Sequence, residues 1–315
     1  MHRAGDRAGL PQPGLEQIMG FVLSGADAPT KPSPFGKLLD DPLMSEGTLA
    51  LWDPRHHLCA FTGVPIQSQV IGNAAKNQAA IVLGLDASLL DFTASVTVTG
   101  TTEIKIERSG KGGLHTILSQ VNETVSNNKC VFNGPSALRD YLFNLVPSGA
   151  VGICIWQRVT RSAIAAGPSA STTHLVSSSS GNVFLWAAPG GSLNGASPLG
   201  TFSANSAEGA RFNTIGINAW SGTKPGSSNS TGLQIGGSPG GVTGNANNNK
   251  KSSNILYRVQ IEDLTKSKRS NSGFGGTVTE EYNAFQAAMY AQFQKEFAAG
   301  GAFYGDTFTD PATFP

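Results

Sequence analysis

Residues 253–264 show the clearest alternation of apolar and polar residues in the chain. Successive side chains of a strand point to opposite faces, so the alternation predicts a strand with one buried face and one mostly solvent-exposed face. The two faces are Ile255, Tyr257, Val259 and Ile261 on one side and Leu256, Arg258, Gln260 and Glu262 on the other. A strand of this kind is typical of an antiparallel sheet.

A helix is predicted after this strand, beyond a polar, glycine-rich bridge over residues 266–276. Thr277 and Glu280 have the spacing of a capping box, which marks a helix N-terminus. Large apolar residues then recur every three or four positions, and Gly300 with Gly301 can end the helix. This stripe comprises Tyr282, Phe285, Met289, Phe293 and Phe297. We expect it to face the sheet, with Phe285, Met289 and Phe293 buried.

Short strands separated by turn signals are predicted over much of the remaining chain. They cover residues 49–52, 92–99, 103–108, 151–161, 183–186 and 214–220, and a helical turn or short helix is predicted over 135–145. Residues 92–99 and 103–108 are predicted to pair as a hairpin. Residues 224–249 are too polar to build a core and predict a surface loop or a flap. Strands throughout with a single late helix favour an antiparallel β-sandwich over an alternating β-α fold.

Residues 1–47 are predicted to form an extended N-terminal arm, and residues 48–315 the folded body. Four prolines between residues 25 and 42, namely Pro29, Pro32, Pro34 and Pro42, favour extended chain. The apolar run 18–23 is too short for a membrane span or a signal peptide. It could form a short helix that docks on a partner, or one that caps the chain's own sandwich.

Composition and charge narrow the function classes. Only 14% of the 315 residues are charged and the formal net charge is +1, so no electrostatic argument indicates nucleic acid or an anionic membrane as a partner. The 39 glycines are consistent with many turns between short strands. The three cysteines, Cys59, Cys130 and Cys154, are odd in number and widely spaced, which favours assembly in a reducing cytosol over a disulfide framework.

Two stretches could suggest a metal or a phosphate ligand. His56, His57 and Cys59 are close in sequence, but the chain has no second Cys/His pair at zinc spacing. The glycine-rich residues 109–115 lack the phosphate-loop pattern and predict a turn. We therefore predict no metal site and no cofactor.

Glycoside hydrolysis is the enzymatic reaction worth testing against the sequence, because large sandwiches often catalyse it with two carboxylates about 5–10 Å apart. Glu262 and Asp263 are neighbours on a strand and point to opposite faces. Glu103 and Glu107 share a face but lie about 13 Å apart. We therefore predict that the protein is not an enzyme.

Several stretches resemble a family of structural proteins encoded by tailed bacteriophages and prophages. They are Lys111-Gly-Gly-Leu-His115 with Ser119-Gln120, the strand end 155–161, residues 255–265 and the ending 303–311. The resemblance covers residues 48–315. In that family Leu-Tyr-Arg-x-x-Ile-Glu-Asp-Leu-Thr is commonly followed by Ser-Gly-Arg. This chain has Ser267-Lys268-Arg269 and then a further polar stretch, so the turn before the helix is expected to be longer.

The resemblance implies a concanavalin-like or laminin-G-like jelly roll, in which two antiparallel sheets pack face to face. It also implies a place in the virion after assembly in the host cytoplasm, with other virion proteins as partners and a homo-oligomeric state. Head decoration, neck, tail and fibre all stay open as positions. The arm would fasten the protein to the particle, and the sandwich would be displayed on it.

Two alternatives remain. The first is a receptor- or glycan-binding module at a tail tip that recognises a host surface glycan, although fold alone does not establish such a function. Trp220, beside the polar loop 221–244, is its candidate sugar-stacking residue, and alternation places it opposite Ile215 and Ile217. The other interpretation of Trp220 is a ring buried by core or rim packing. The second alternative is a degraded or unrecognised polysaccharide hydrolase.

Overall fold

The computed structural model describes residues 41–98, 100–124, 128–145, 150–162, 164, 173–177, 183–187, 196–198, 208–220, 234–236, 249, 252–270 and 276–315. The chain divides into two units, residues 1–38 and 39–315, and every described residue belongs to the second. Residues 1–40 of the predicted arm therefore lie outside the described residues. So does the predicted loop 224–249, apart from residues 234–236 and 249.

The described part of the second unit is mainly β, with antiparallel sheets and three α-helices. The strands are β1 (Thr48–Trp52), β2 (Val70–Ile71), β3 (Phe92–Thr97), β4 (Ile104–Arg108), β5 (Leu114–Leu118), β6 (Lys129–Asn133), β7 (Val151–Arg161), β8 (Thr173–Ser177), β9 (Val183–Ala187), β10 (Ala196–Pro198), β11 (Gly209–Trp220), β12 (Gln234–Gly236) and β13 (Ser253–Asp263). The helices are α1 (Lys76–Leu83), α2 (Ser136–Leu145) and α3 (Val278–Phe297). The expectation of a single late helix is thus wrong, although α2 and α3 were both predicted.

Strand β13 lies in the middle of the larger sheet. Within the described strands this sheet has seven members, ordered β10-β11-β7-β13-β5-β4, with β1 also paired to β13. The first half of β13 pairs with β5 and its second half with β1, while β7 runs along its other side. The smaller sheet has the order β12-β6-β3-β2, and β8 pairs with β9 separately.

The predicted hairpin between residues 92–99 and 103–108 is wrong. Strand β3 pairs with β2 and β6 in the smaller sheet, whereas β4 pairs with β5 in the larger one. The intervening residues carry the chain from one sheet to the other. Consecutive strands are neighbours in only about two-thirds of cases, so nearness in sequence was a weak guide to pairing.

The two larger sheets share one hydrophobic core, an arrangement consistent with a β-sandwich. Leu51, Ile153 and Ile261 come from the seven-stranded sheet, and Phe92 and Phe132 from the four-stranded sheet. The rings of Trp52 and Phe132 meet across this core with their centroids 5.2 Å apart. Apolar side chains from both sheets are thereby removed from water, which is the main driving force for packing the sheets together.

A β-bulge interrupts the alternation of β13. Leu256 lies opposite Gln157 and Arg258 lies opposite Trp156, so Tyr257 is the extra residue. As a result Ile255 and Tyr257 belong to a second core on the outer face of the larger sheet, whereas Val259 and Ile261 belong to the core between the sheets. The prediction that these four residues share one face is wrong, because a bulge shifts the side-chain alternation by one residue.

Helix α3 covers the outer face of the larger sheet. Its predicted capping box is confirmed, since Thr277 and Glu280 each bond to the other's backbone N–H. Phe285 and Met289 are fully buried, as predicted. Phe293 is only half-buried, so its predicted burial is wrong. Its ring lies at the margin of this second core, against Phe212 of β11.

Candidate functional site at the root of the N-terminal segment

Three polar side chains form a ladder along the outer face of β13. They are Arg258, Gln260 and Glu262, which succeed one another on one face because they are two residues apart. Their exposed fractions are only 3%, 0% and 0%. The prediction that this face of the strand is mostly solvent-exposed is therefore wrong. Residues 41–43 and 267–269 lie over the ladder and bond to it, so its charges are paired with protein groups instead of water, although the described structure gives Arg258 Nε no hydrogen-bond partner.

Arg258 binds two carboxylates from the start of the described chain. Its Nη2 and Nη1 donate to Asp41 Oδ1 and Oδ2 at 2.8 and 3.1 Å, and Nη1 also donates to Asp53 Oδ2 at 3.3 Å. The guanidinium carbon lies 5.2 Å from the centre of the Trp156 ring. Bidentate pairing of this kind is both stronger and more directional than a single hydrogen bond.

The environment keeps both partners of this ion pair charged. Burial by itself would raise the pKa of Asp41, but the hydrogen bond and charge of Arg258 hold that pKa below its ordinary value. Burial would likewise lower the pKa of Arg258, yet Asp41 and Asp53 raise it. The pair is therefore ionised at neutral pH.

The other two residues of the ladder, Gln260 and Glu262, also bind residues 41–48. Gln260 Nε2 donates to the Leu43 carbonyl oxygen at 2.9 Å. Arg269 Nε and Nη2 donate to the two oxygens of Glu262, each at 2.7 Å, and Nη2 also donates to the Leu43 carbonyl. Thr48 Oγ1 donates to Glu262 Oε2 at 3.3 Å. Residues 41–48 are thus bonded to the central strand at successive points.

Glu281, in the first turn of α3, connects the helix to the same region. Its carboxylate accepts hydrogen bonds from the Ser267 and Ser270 hydroxyls and from the Arg269 backbone N–H. Burial alone would raise the pKa of Glu281, but these hydrogen bonds lower it. A carboxylate near a helix N-terminus is also favoured by the helix dipole. The ladder therefore joins residues 41–48, β13, the turn 267–270 and α3 into one buried polar network.

A second polar cluster lies on the same face of the sheet, nearer its edge. Glu107 Oε1 lies 2.8 Å from His115 Nδ1, and His115 Nε2 lies 2.9 Å from Thr160 Oγ1. Burial alone would raise the pKa of Glu107, but bonds from Thr309, His115 and Lys105 lower it to about 2. Because Glu107 is ionised, Nδ1 carries the imidazole proton and Nε2 accepts from the Thr160 hydroxyl.

This hydroxyl–imidazole–carboxylate order is the one used by serine hydrolases. His115 is completely buried, however, and the Phe308 ring packs edge-on against it with a centroid distance of 5.3 Å. A substrate could reach the imidazole only if residues 303–315, here called the C-terminal segment, moved away. Sequence reasoning missed the cluster because its members come from three different strands.

The cluster instead fastens the C-terminal segment. Thr309 donates to Glu107 from its backbone N–H at 2.8 Å and from its hydroxyl at 2.7 Å. Nearby, Asp306 accepts from the Tyr257 hydroxyl at 2.6 Å and from the Lys111 N–H at 2.7 Å. The extra residue of the β13 bulge thus contributes directly to holding the end of the chain.

The other residues singled out in the sequence have structural partners. Cys59 is buried against the Leu51 carbonyl oxygen, and burial raises the pKa of its thiol to about 11. The rings of His56 and His57 stack with centroids 4.7 Å apart. Asp263 accepts from the Tyr141 hydroxyl at 2.6 Å. Cys130 and Cys154 are also buried free thiols.

Trp220 ends strand β11, as the sequence predicted, and lies opposite Ala196 of β10. Its side chain and most of the adjoining loop 221–244 lie outside what the structure describes. The glycan site predicted there stays a prediction.

Comparisons of the chain with protein-family models, with curated proteins and with solved structures find no match. Among the described residues, no group of three or more His, Cys, Asp or Glu side chains is placed to hold a metal ion. No helix in the described part of the chain is long and apolar enough to cross a membrane. Function must therefore be argued from the networks themselves.

Acidification is expected to loosen the C-terminal segment before the centre of the sheet. The Glu107 pKa is about 2 in the fold against 4.5 ordinarily, so the stability it contributes is complete above pH 4.5 and is lost as the pH falls from 4.5 to 2. Burial lowers the pKa of His115 below its ordinary 6.5, so the stability that depends on the neutral ring is likewise lost as the pH falls below 6.5. Amide hydrogen exchange, corrected for intrinsic rates, should show this in residues 306–314 between pH 7 and 3.

A Glu107→Gln variant serves as the control. It should show faster exchange in the C-terminal segment at pH 7 and a smaller further change on acidification. If the C-terminal segment and β7 lost protection equally at every pH, the prediction that acid loosens the C-terminal segment first would be wrong.

Proposed function

We propose that this chain is a structural protein of a tailed-bacteriophage virion, fastened to the particle through residues 1–47 and displaying a lectin-like jelly roll. The sequence resemblance supports the proposal. A mainly β body with two antiparallel sheets around a shared core is the kind of fold that the resemblance implies. The proposed partners are other virion proteins and further copies of the same chain, assembled in the host cytoplasm.

The observation that carries the proposal is the way in which the root of the N-terminal segment is held. Asp41 is bound by both terminal nitrogens of a buried arginine in the central strand. A linker that only connects two domains has no need of an ion pair that is buried in the core of one domain. A segment that fastens a subunit to a particle must pass any pull on it into the folded body, and this arrangement does so.

The proposal is tested by a pair of truncations made in the genome that encodes the chain. Deleting residues 1–40 should leave a folded body, because the ion pair of Asp41 is kept, but should reduce the number of copies in purified particles to near background. Quantitative mass spectrometry of the particles measures incorporation, and thermal unfolding of the isolated protein measures folding. Normal incorporation of the shortened chain would refute the anchoring role.

Deleting residues 1–43 is the matched comparison. It also removes Asp41 and the Leu43 carbonyl, which leaves Arg258 and Gln260 short of buried partners. We expect this slightly longer deletion to lower the melting temperature clearly, whereas the deletion of residues 1–40 should change it little. The difference separates loss of anchoring from loss of folding.

A further inference from the structure

We propose that the groove between helix α3 and strand β11 binds a neutral saccharide. The groove has a volume of about 310 Å³ and is lined by Phe212, Asn283, Gln286, Ala287 and Tyr290. This volume lies at the lower end of the range of small-molecule sites. The inference goes beyond the proposed anchoring function and does not depend on it.

The geometry of the helix makes the groove linear. Asn283, Ala287 and Tyr290 are separated by four and three positions, so they lie along one stripe of α3 that is about 10 Å long. Phe212 of β11 forms the opposite wall. The Phe212 and Tyr290 rings have centroids 5.0 Å apart and planes tilted by 55°, and the Tyr290 side chain is 45% exposed. One end of the groove therefore presents a partly exposed aromatic ring.

The other end presents oriented polar groups. Gln286 Nε2 donates to Thr214 Oγ1 at 3.1 Å, and that oxygen lies 3.3 Å from the Tyr282 hydroxyl. The Gln286 amide is thereby held in one orientation. In the described part of the chain, Gln286 Oε1, the Asn283 amide and the Tyr290 hydroxyl have no hydrogen-bond partner. They are available to a ligand as both donors and acceptors.

This chemistry favours a sugar over other ligands. None of the five described lining side chains is charged, so the described walls of the groove lack the Arg or Lys groups that recognise phosphate or carboxylate. A purely apolar ligand would cover the two amides and leave them unpaired, which is unfavourable. A pyranose ring offers an apolar C–H face for Tyr290 and hydroxyls for the amides. A protein partner would need about 800 Å² of surface, far more than this groove offers.

The site differs from the one predicted at Trp220. Phe212 and Trp220 belong to the same strand but are eight residues apart, which corresponds to about 26 Å. Sequence reasoning did not find the groove, because its walls come from β11 and α3 and are distant in the chain. A pair of variants can therefore assign binding to one place or the other.

The test is titration of the full-length chain with neutral trisaccharides by calorimetry and ligand-observed NMR. Maltotriose, cellotriose, laminaritriose and chitotriose are the probes, and trigalacturonate is the charged control. We expect at least one neutral probe to bind saturably with a Kd of about 1 mM or below, and the charged control to bind at least tenfold more weakly. Saturable binding of none of the neutral probes would overturn the proposal.

Variants then locate the binding. Tyr290→Ala should weaken it at least tenfold, Tyr290→Phe should retain most of it, and Asn283→Ala should weaken it about threefold or more. Tyr304→Ala removes a tyrosine that is 55% exposed outside the groove and should have no effect, and neither should Trp220→Ala. Thermal unfolding should be nearly unchanged in the tyrosine variants.

Two results would contradict the assignment. One is loss of binding in Trp220→Ala with full binding in Tyr290→Ala. The other is a Tyr290→Ala variant that binds sugar normally but changes the oligomeric state of the full-length protein, which would make the groove a protein contact. Incorporation into particles is expected to be normal in Tyr290→Ala, so failure here is distinguishable from failure of the anchoring function.

Discussion

Replacing Arg258 with methionine is expected to lower the free energy of unfolding by about 3–5 kcal/mol. The guanidinium is 3% exposed and pairs with Asp41 and Asp53, which are themselves largely buried. Methionine fills part of the space but leaves Asp41 without its counter-charge and Asp53 with only the more exposed Arg55. Chemical denaturation at neutral pH measures the change.

The loss of unfolding free energy in the Arg258→Met variant, here called its deficit, should also depend on pH. Without the arginine, burial raises the pKa of Asp41, and a raised pKa gives stability that is present at low pH and lost as the pH rises. The deficit is therefore expected to shrink as the pH falls toward 4. Adding Asp41→Asn and Asp53→Asn to the variant should recover part of it at pH 7.

Arg55→Met is the matched control, because Arg55 Nε lies 3.6 Å from the same Asp53 carboxylate but its side chain is 37% exposed. Exposed ion pairs contribute at most about 1 kcal/mol, so this change should cost less than that. A similar cost for Arg55→Met and Arg258→Met would show that the buried ladder has no special role in stability.

Replacing Phe285 with alanine is expected to cost about 3–5 kcal/mol. The ring is completely buried between α3 and the larger sheet, and it packs on Gly152 of β7. Removing it leaves a cavity that the sheet and the helix cannot close without giving up other contacts. Phe293→Ala, in the same helix, should cost clearly less because that ring is only half-buried, and denaturant unfolding of the two variants makes the comparison.

A double-mutant cycle with Gly152 sharpens this test. A methyl group at Gly152 would lie 2.8 Å from Leu264 Cδ2 and 3.2 Å from the Phe285 ring, so Gly152→Ala should cost about 1–3 kcal/mol by overpacking. In the Phe285→Ala background the contact with Leu264 remains but the one with the ring is gone, so the methyl group should cost less. Strictly additive effects of the two substitutions would mean that the helix does not pack on the sheet at this point.

Local sequence patterns predicted the individual strands and helices better than the pairing and packing of those elements. The capping box of α3 depends on two residues three positions apart, and the strand β13 on a run of twelve, so both could be recognised. The bulge at Tyr257 could not, because it depends on how β13 pairs with β7. The hairpin of β3 and β4 was predicted wrongly for a related reason, since sequence does not show that the chain crosses between sheets there.

The candidate sites were harder to predict than the fold. Arg258, Gln260 and Glu262 have the pattern of a solvated face, and only the position of residues 41–48 and 267–270 over them shows that they are buried. Glu107, His115 and Thr160 are brought together by strand pairing alone. The groove at Tyr290 exists only because β11 packs against α3, and the sequence does not show that contact. Trp220, which the sequence did single out, ends the strand predicted for it, but its role still depends on experiment.

The ladder also has a mechanical consequence. A pull on the chain at Asp41 reaches Arg258, and hence a strand that has hydrogen-bonded neighbours on both sides, with β7 on one side and β5 and β1 on the other. A strand at the edge of a sheet can be peeled off one hydrogen bond at a time. Strand β13 can leave only if bonds on both of its sides break, so tension on the segment is shared across the sheet. Unfolding force measured by single-molecule pulling from residue 41 should accordingly be high, and should fall when Arg258 is replaced.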